Sequence, residues 1–276
     1  MTRAVIVGFG RLGGALARGM KLARYAVCVL PHSAASVRAT VRAGFKLADE
    51  DALSRAELCF FTVPDGQLAA IVADVVPSLS ARCAVIHCAG ALTLEDLGPR
   101  PVLGGRPRAS FHPLCAISGP LDPLAGCSVA LSTRSPAVMK ALERLAKSLA
   151  LHPLRVAEKS RAAYHAGAVM SAGGTVALVS SAVEALRTAG ISEADAVTAL
   201  LPLVASALRG IQARGLTGAL TGPVLRGDTA VLARHVKALP RDVLRLYRPL
   251  MARMLMLAQP QLTPSQRREI AALAQE

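Results

Sequence analysis

The chain of 276 residues is long enough for one large domain or two medium ones, and its 53% hydrophobic and 18% charged residues exclude a largely disordered protein. Its formal net charge of +14 favours anionic ligands, but the 32 basic residues form no block of five or six and aromatic residues make up only 3%. The sequence therefore predicts no nucleic-acid partner, because base-stacking residues are scarce and a concentrated basic segment is missing.

Short apolar runs alternate with helical patterns up to about residue 155, which is typical of βαβ units and a parallel sheet. The predicted strands cover residues 4–7, 26–30, 58–63, 83–88, 109–111 and 128–131, with a short one at 45–48. The pattern predicts an α/β fold in which residues 1–154 form a Rossmann domain with a doubly wound parallel sheet.

A glycine-rich loop follows the first predicted strand directly and opens a helical pattern, in the spacing Gly-x-Gly-x-x-Gly. Gly8 would permit the tight turn, Gly10 would let a pyrophosphate approach the backbone, and Gly13 would allow close packing of helix and strand. The alternative is a glycine-rich turn that binds nothing. We expect the whole loop to contact a dinucleotide: Gly8, Phe9, Gly10, Arg11, Leu12 and Gly13.

No acidic residue occurs before Asp49. NAD-preferring sites place a carboxylate about twenty residues after the glycine loop, where it binds the adenosine ribose. Here the second strand is followed instead by His32 and Ser33, with Arg38 a little further along. Because no negative charge would oppose a ribose 2′-phosphate, the sequence predicts NADP(H) in preference to NAD(H).

The six cysteines show no Cys-x-x-Cys pair and no metal-ligand spacing. Cys28, Cys59 and Cys83 lie in apolar runs, where a cysteine behaves as a small hydrophobic residue. We expect free thiols, no bound metal, no signal peptide and a cytoplasmic location.

Helical periodicity replaces the alternation after Pro153, through residues 159–188, 193–214, 228–237 and 241–258. Residues 155–276 are therefore predicted to form an all-α domain. Within it, residues 166–183 carry no charge but are rich in small residues and closely flanked by charged ones. A buried helix is the favoured interpretation, and no membrane span is expected.

Five further segments carry motifs that are specific in combination: 60–65 (FFTVPD), 87–92 (HCAGAL), 110–114 (SFHPL), 164–166 (YHA) and 220–228 (LTGPVLRGD). Together they resemble the Rossmann-like oxidoreductases that carry a C-terminal helical domain of unknown function, over nearly the whole chain. Pyrroline-5-carboxylate reductase, prephenate dehydrogenase, ketopantoate reductase and the 3-hydroxyacid dehydrogenases are related to that family. The resemblance implies hydride transfer to or from nicotinamide, and a homodimer formed through the helical domains.

Ligands of open α/β sheets bind beyond the carboxyl ends of the strands, where several of these motifs fall. We expect Val63, Pro64 and Asp65 to shape the loop beside the adenosine and the nicotinamide ribose, and Ala89 with Gly90 to allow close approach of the nicotinamide. The alternative is that these segments are ordinary turns between strands and helices.

His112 is the first candidate for a catalytic acid or base, because a pKa near neutrality suits proton transfer coupled to hydride transfer. Its position resembles the His-Pro pair of prephenate dehydrogenases. The alternative is a histidine that anchors the turn before Pro113. His165 with Tyr164 is the second candidate pair, and three other histidines are expected to be structural: His87, His152 and His235.

The substrate site is predicted from the loop between two C-terminal helices, which resembles the carboxylate-binding loop of pyrroline-5-carboxylate reductase. Asp228 could instead cap the next helix. The predicted substrate-binding residues are Ser110, Thr221, Gly222, Arg226 and Asp228.

One position departs from the relatives. Gly173 stands where the family that the chain resembles usually has asparagine, and the lysine that the 3-hydroxyacid dehydrogenases place four residues earlier is replaced by Val169. The sequence thus favours an NADPH-dependent reductase of a carbonyl or imine in a small, anionic substrate, ketopantoate-like or pyrroline-carboxylate-like. The alternative is a non-catalytic NADP-binding sensor or assembly protein.

Overall fold

Eight strands form one sheet in the computed structural model, which describes residues 1–120 and 122–275. They are β1 (Arg3–Val7), β2 (Ala26–Leu30), β3 (Lys46–Leu47), β4 (Leu58–Phe61), β5 (Ala84–His87), β6 (Arg108–Leu114), β7 (Ser128–Thr133) and β8 (His152–Arg155). Their order in the sheet is β3-β2-β1-β4-β5-β6-β7-β8. The first six strands are parallel, whereas β7 runs antiparallel to β6 and parallel to β8. The predicted α/β fold with a Rossmann sheet is confirmed.

The chain divides into two units, Met1–Val169 and Met170–Glu276. The helices that begin in the first unit are α1 (Arg11–Leu22), α2 (Ala34–Arg42), α3 (Glu50–Ser54), α4 (Leu68–Val75), α5 (Arg100–Leu103), α6 (Pro136–Ser148) and α7 (Arg161–Ser171). The division after Val169 comes later than the predicted one after residue 154, because the N-terminal half of α7 packs against the ends of β5 and β6.

Two hydrophobic clusters cover the two faces of the sheet, as alternation along the strands requires. On β1, Ile6 packs into one cluster with Leu16 of α1, and Val5 packs into the other with Val72 of α4. Because both faces are covered, every residue of β4 and β5 is buried. The carboxyl ends of these strands are thus held in a rigid frame.

The strand β8 was not predicted from the sequence. Its four residues are all exposed and include Pro153, which an edge strand tolerates because one row of its backbone groups needs no partner. A short segment of this kind has no apolar alternation to indicate a strand. The helical part of the chain begins after β8 ends at Arg155, next to the predicted start at residue 155.

The second unit contains the helices α8 (Gly173–Thr188), α9 (Glu193–Ala219), α10 (Pro223–Arg226), α11 (Thr229–Ala238), α12 (Arg241–Ala258) and α13 (Pro264–Gln275). Its core includes Val224, Leu232, Met251, Leu255 and Ile270. The all-α C-terminal half is thus confirmed, and its core is built around α12.

Helices α8 and α9 expose large apolar side chains: Val176, Leu178, Leu201, Leu203, Leu208 and Leu216. The stretches Glu158–Thr188 and Glu193–Arg226 are long and apolar enough to cross a membrane, judged by length and composition alone. In the most apolar 18-residue segment of each stretch, 0% and 11% of the residues are buried in the single chain. The prediction of one buried helix over 166–183 is wrong for the isolated chain, because α7 ends at Ser171, α8 begins at Gly173, and only Val183 is buried within this range.

Candidate active site

The glycine loop lies at the carboxyl end of β1, beside the end of β4. Gly8 has a φ of +93°, and a Cβ there would lie 2.8 Å from the carbonyl oxygen of Thr62. A Cβ on Gly13 would lie 2.4 Å from the carbonyl oxygen of Gly8. Both glycines are therefore required by the fold itself, as expected for a tight turn and a close helix–strand approach.

Thr62 fixes the loop from the neighbouring strand end, a role that the sequence did not reveal. Its hydroxyl donates to the carbonyl oxygens of Val7 and Gly8, both at 3.1 Å. Its backbone N–H also donates to Val7 at 2.9 Å. The available signal was a hydroxyl residue directly after β4, where the chain leaves the sheet next to β1.

Gly10 differs from the other two glycines of the motif. A Cβ there would meet no atom within 4 Å among the described residues. Gly10 is also the N-cap of α1, whose first-turn N–H groups lack intrahelical acceptors. The loop thus leaves open the space and the N–H donors that a pyrophosphate needs, so its residues fit a dinucleotide.

The predicted 2′-phosphate residues follow β2 at the same edge of the sheet. His32 and Arg38 are exposed. The Ser33 hydroxyl accepts from the backbone N–H of Ser36 at 3.2 Å, and Ser36 closes a capping box at the start of α2. Ser33 therefore has a structural function of its own, which leaves His32 and Arg38 as the free polar groups here.

The segments after β4 and β5 lie as predicted at the carboxyl edge. Pro64 and Asp65 are exposed, and Asp65 begins a short 3-10 turn, Asp65–Gln67. Gly90 follows β5, and a Cβ on it would lie 2.3 Å from Cδ2 of His165 and 2.9 Å from Nε2 of His112. The backbone of Gly90 is therefore in contact with both candidate catalytic imidazoles.

His112, Tyr164 and His165 form one cluster, although sequence reasoning treated them as two separate candidates. Nδ1 of His112, on β6, is 2.8 Å from the hydroxyl of Tyr164, on α7. The imidazole rings of His112 and His165 face each other edge to face with centroids 5.9 Å apart. All three side chains are only partly buried, so a small molecule can reach them.

Arg161 lies beneath this cluster and is fully buried. Its Nη2 donates to the Ser110 hydroxyl at 2.7 Å and to the Ala89 carbonyl oxygen at 3.2 Å. Its Nε and Nη1 are buried and find no hydrogen-bond partner within residues 1–120 and 122–275. Arg161 could not be singled out from the sequence, because nothing in the sequence distinguishes a buried arginine at the start of a helix from an exposed one.

The two histidines nearest Arg161 are kept uncharged. Burial, the neighbouring His165 and the Arg161 charge lower the pKa of His112 to about 4. Burial and then the Arg161 charge lower the pKa of His87, which is fully buried, to about 3. The fold thus lowers the pKa of His112 below the near-neutral value expected from the sequence, because desolvation and nearby positive charge oppose its protonation.

Tyr164 is a neutral phenol in this setting. Burial raises its pKa, while the Arg161 charge acts in the opposite direction. A neutral phenol hydrogen-bonded to a neutral imidazole can donate one proton to a substrate oxygen or nitrogen and recover it through the imidazole. The cluster therefore has the geometry of a proton donor with a relay.

The predicted substrate residues are differently placed. Ser110 is fully buried and its hydroxyl is bonded to Arg161, so a substrate could contact it only if Arg161 moved. In the second unit, Arg226 donates to the Asp228 carboxylate at 2.8 Å. Asp228 occupies the N-cap position of α11, but its side chain makes no capping hydrogen bond with the described residues. Thr221 is exposed just before Gly222, the N-cap of α10.

Gly173 begins α8, and a Cβ there would meet no atom within 4 Å in the described part of the chain. The glycine is therefore not required by local packing. Separately, no cluster of three or more His, Cys, Asp or Glu residues able to hold a metal occurs among the described residues.

Comparison with protein families assigns both halves of the chain. Residues 2–113 match a Rossmann-like domain, and residues 127–254 match the domain of unknown function DUF2520. No curated protein sequence matches the chain significantly. The combination of domains predicted from the motifs is confirmed.

Solved structures share the architecture. A protein of Bacteroides fragilis, provisionally named an NADP oxidoreductase, is 20% identical with 98% of each chain covered and a TM-score of 0.70. An imine reductase from Pseudomonas sp. is 21% identical, with full coverage of both chains and a TM-score of 0.62. The pyrroline carboxylate reductase of Plasmodium falciparum, solved with NADP bound, is 12% identical, with 99% of this chain and 98% of that chain covered and a TM-score of 0.63. At such identities the likeness shows a common fold.

Proposed function

Because the chain joins a Rossmann-like domain to a DUF2520 domain, we propose that it is an NADP(H)-dependent reductase acting on the carbonyl or imine group of a small anionic molecule. The observation that carries the proposal is the contact between Gly90 and the cluster of His112, Tyr164 and His165. It brings proton-transfer groups to the strand edge that also carries the glycine loop. Named reductases among the structures with this fold support the same class of reaction.

The glycine loop and the start of α1 would hold the cofactor. Gly10 leaves room for the pyrophosphate, and the first-turn N–H groups of α1 would bind it. His32 and Arg38, both exposed after β2, would favour a 2′-phosphate, since no acidic residue precedes Asp49 in the sequence. A bound nicotinamide dinucleotide would supply the hydride.

Tyr164 would act as the proton donor. Its hydroxyl would bind the substrate oxygen or nitrogen and transfer its proton there as the neighbouring carbon becomes reduced. The buried charge of Arg161 would stabilise the phenolate left behind, because opposite charges attract strongly away from water. His112, through Nδ1, would then return a proton to Tyr164, and His165, whose ring centroid lies 5.9 Å away, would resupply His112.

The direct test is a screen of 2-oxo acids and cyclic imines with NADPH, followed by the loss of NADPH absorbance. A non-catalytic NADP-binding protein is the second candidate, and Gly173 favours it because the related family usually has asparagine there. Tight NADPH binding by the natural chain without turnover of any substrate would support the second candidate, and turnover gained in Gly173→Asn would show that the glycine accounts for the loss. Turnover by the natural chain would reject it.

We also propose a soluble cytoplasmic homodimer in which a second copy covers α8 and α9. The exposed apolar side chains on these helices border a groove of about 570 Å³ in the second unit, walled by leucines that include Leu178, Leu203 and Leu250. An apolar surface of this kind is typical of an interface between subunits.

Light scattering tests the dimer. We expect Leu203→Glu, at a side chain that is 65% exposed on α9, to convert the dimer to a monomer. Leu22→Glu on α1, at a leucine that is 76% exposed, should leave it a dimer. A monomeric natural chain, or one that partitions into lipid vesicles, would overturn the proposal.

A further inference from the structure

A second concave site lies at the edge of the sheet opposite the glycine loop, where β6 begins and β7 ends. This cavity has a volume of about 420 Å³, within the range of small-molecule sites. Four arginines line it: Arg100, Arg106, Arg108 and Arg134. Ser135, the N-cap of the 13-residue helix α6, completes the wall beside Arg134.

The positive charge of this arginine cavity is only partly balanced. Glu95 accepts from Arg108 at 2.6 Å and from Arg134 at 3.0 Å. The hydrogen bond from Arg108 lowers the pKa of Glu95, and the charges of Arg134 and Arg100 add to the effect. One carboxylate thus serves three guanidinium groups. The nearby Asp96 instead accepts from the backbone N–H and the hydroxyl of Thr93 at the start of its own turn.

Arg106 adds a fourth positive charge that no carboxylate neutralises through its hydrogen bonds. Its three donor nitrogens bond to the backbone carbonyl oxygens of Leu79, Ser80 and Leu103, at 2.7, 3.0 and 3.2 Å. These bonds hold the guanidinium rigidly at the cavity wall. Four guanidinium groups share one directly bonded carboxylate and repel one another, and a bound anion would relieve that repulsion.

The side chains divide into a fixed wall and a movable rim. Arg108 is only 11% exposed and Arg106 is pinned by its carbonyl bonds, whereas Arg100 is exposed and Arg134 is 66% exposed. Guanidinium groups bind phosphate oxygens through two parallel hydrogen bonds, and the arginines of both the wall and the rim can form such pairs. The N-terminus of α6 adds the positive end of its dipole.

We propose that the arginine cavity binds a small, multiply charged anion of the pyrophosphate class, independently of the dinucleotide. The ligand enters between Arg100 and Arg134 and contacts the fixed guanidinium groups behind them. Glu95 neutralises part of the positive charge of the cavity and thereby limits the affinity of the cavity for the anion.

Calorimetric titration of the full chain with inorganic pyrophosphate tests the proposal, with NADP present in saturating amount so that the glycine loop is occupied. The single substitutions Arg100→Gln and Arg134→Gln should each weaken binding about tenfold or more, because charged hydrogen bonds are lost. Glu95→Gln should tighten it. Arg144→Gln, at an exposed arginine further along α6, removes the same charge outside the cavity and should change little.

Four outcomes would overturn the proposal. Absence of binding in the natural chain excludes the site. An equal loss in Arg144→Gln shows that net charge alone attracts the anion. Equal affinity for citrate indicates a general anion surface, and binding that disappears when NADP is added assigns the pyrophosphate to the glycine loop. Since the exchanged arginines lie at the surface, the unfolding temperature of each variant serves as the check on folding.

Discussion

The hydroxyl of Tyr164 lies 2.8 Å from Nδ1 of His112, which stands 52 positions earlier in the chain. The pair joins α7 to β6 at the carboxyl edge of the sheet, beside the segment that follows β5. Because His112 is neutral over the physiological pH range, the phenol is the group that can give up a proton to a bound substrate.

Replacing Tyr164 by phenylalanine should therefore lower kcat about 10²- to 10⁴-fold, the usual range for loss of a general acid. NADPH affinity should stay within about twofold, because the phenol is not part of the phosphate-binding loop. Stopped-flow turnover and fluorescence titration measure the two quantities. A second such pair in the helical unit, Tyr247 and His235 at 2.8 Å, provides the matched control. If Tyr247→Phe lowered kcat as much as Tyr164→Phe, the assignment would be rejected.

The three glycines of the loop should respond differently to alanine. Gly10→Ala should cost at most about 1 kcal/mol of stability, since its Cβ enters open space and only the N-cap preference changes. The same methyl group should abolish NADPH binding by occupying the place of the pyrophosphate. Gly13→Ala should destabilise the unliganded protein by about 2 kcal/mol or more, through the 2.4 Å contact with the Gly8 carbonyl oxygen. Urea unfolding with and without NADPH separates these effects, and retained NADPH binding in Gly10→Ala would contradict the site.

Stability should fall as the solution is acidified from about pH 6.5 towards pH 4. In the unfolded chain a histidine takes up a proton near its ordinary pKa of 6.5, whereas folding lowers the pKa of His112 to about 4 and of His87 to about 3. The unfolded state therefore binds more protons in this window, and the free energy of unfolding rises with pH across it. Urea unfolding at a series of pH values measures the slope. His112→Asn should make it shallower, and an unchanged slope would show that His112 does not titrate in this way.

The glycine loop and the doubly wound sheet could be predicted because their signals are local: one strand, six residues and one helix, contiguous in the sequence. The Arg161 network could not. Its bonds to Ser110 and Ala89 connect residues 51 and 72 positions apart, and nothing adjacent to Arg161 in the sequence marks it as buried. The same limit applied to Thr62, whose hydroxyl acts across the gap between two strand ends. Strand β8 escaped prediction for the opposite reason, since its residues pair at an edge without becoming buried.

Removing the Arg161 charge should raise the pKa of His112 towards 6.5. Arg161→Met keeps much of the apolar stem but leaves the Ser110 hydroxyl and the Ala89 carbonyl without their partner, so some loss of stability is also expected. Proton NMR of the imidazole resonances measures the titration directly, and Arg161→Lys, which restores the positive charge, should return the pKa of His112 towards its natural value. An identical His112 titration in the methionine variant would show that burial and His165 alone hold the imidazole neutral.

Adding one methyl group at Gly90 should displace the imidazoles of His112 and His165 from their present positions beside the end of β5. The new Cβ would lie 2.3 Å from Cδ2 of His165 and 2.9 Å from Nε2 of His112, so at least one imidazole must move. Catalytic geometry tolerates little displacement, and we expect kcat to fall about 100-fold in Gly90→Ala. Gly66→Ala, at an exposed glycine whose Cβ would meet no described atom within 4 Å, adds the same methyl group to the turn after β4 and should leave kcat unchanged. Steady-state kinetics on both variants, with the NMR signals of the two histidines as a readout of position, decide the matter. Full activity in Gly90→Ala with displaced histidine signals would mean that the imidazoles do not take part in the reaction, and the reductase chemistry would then have to depend on Tyr164 alone.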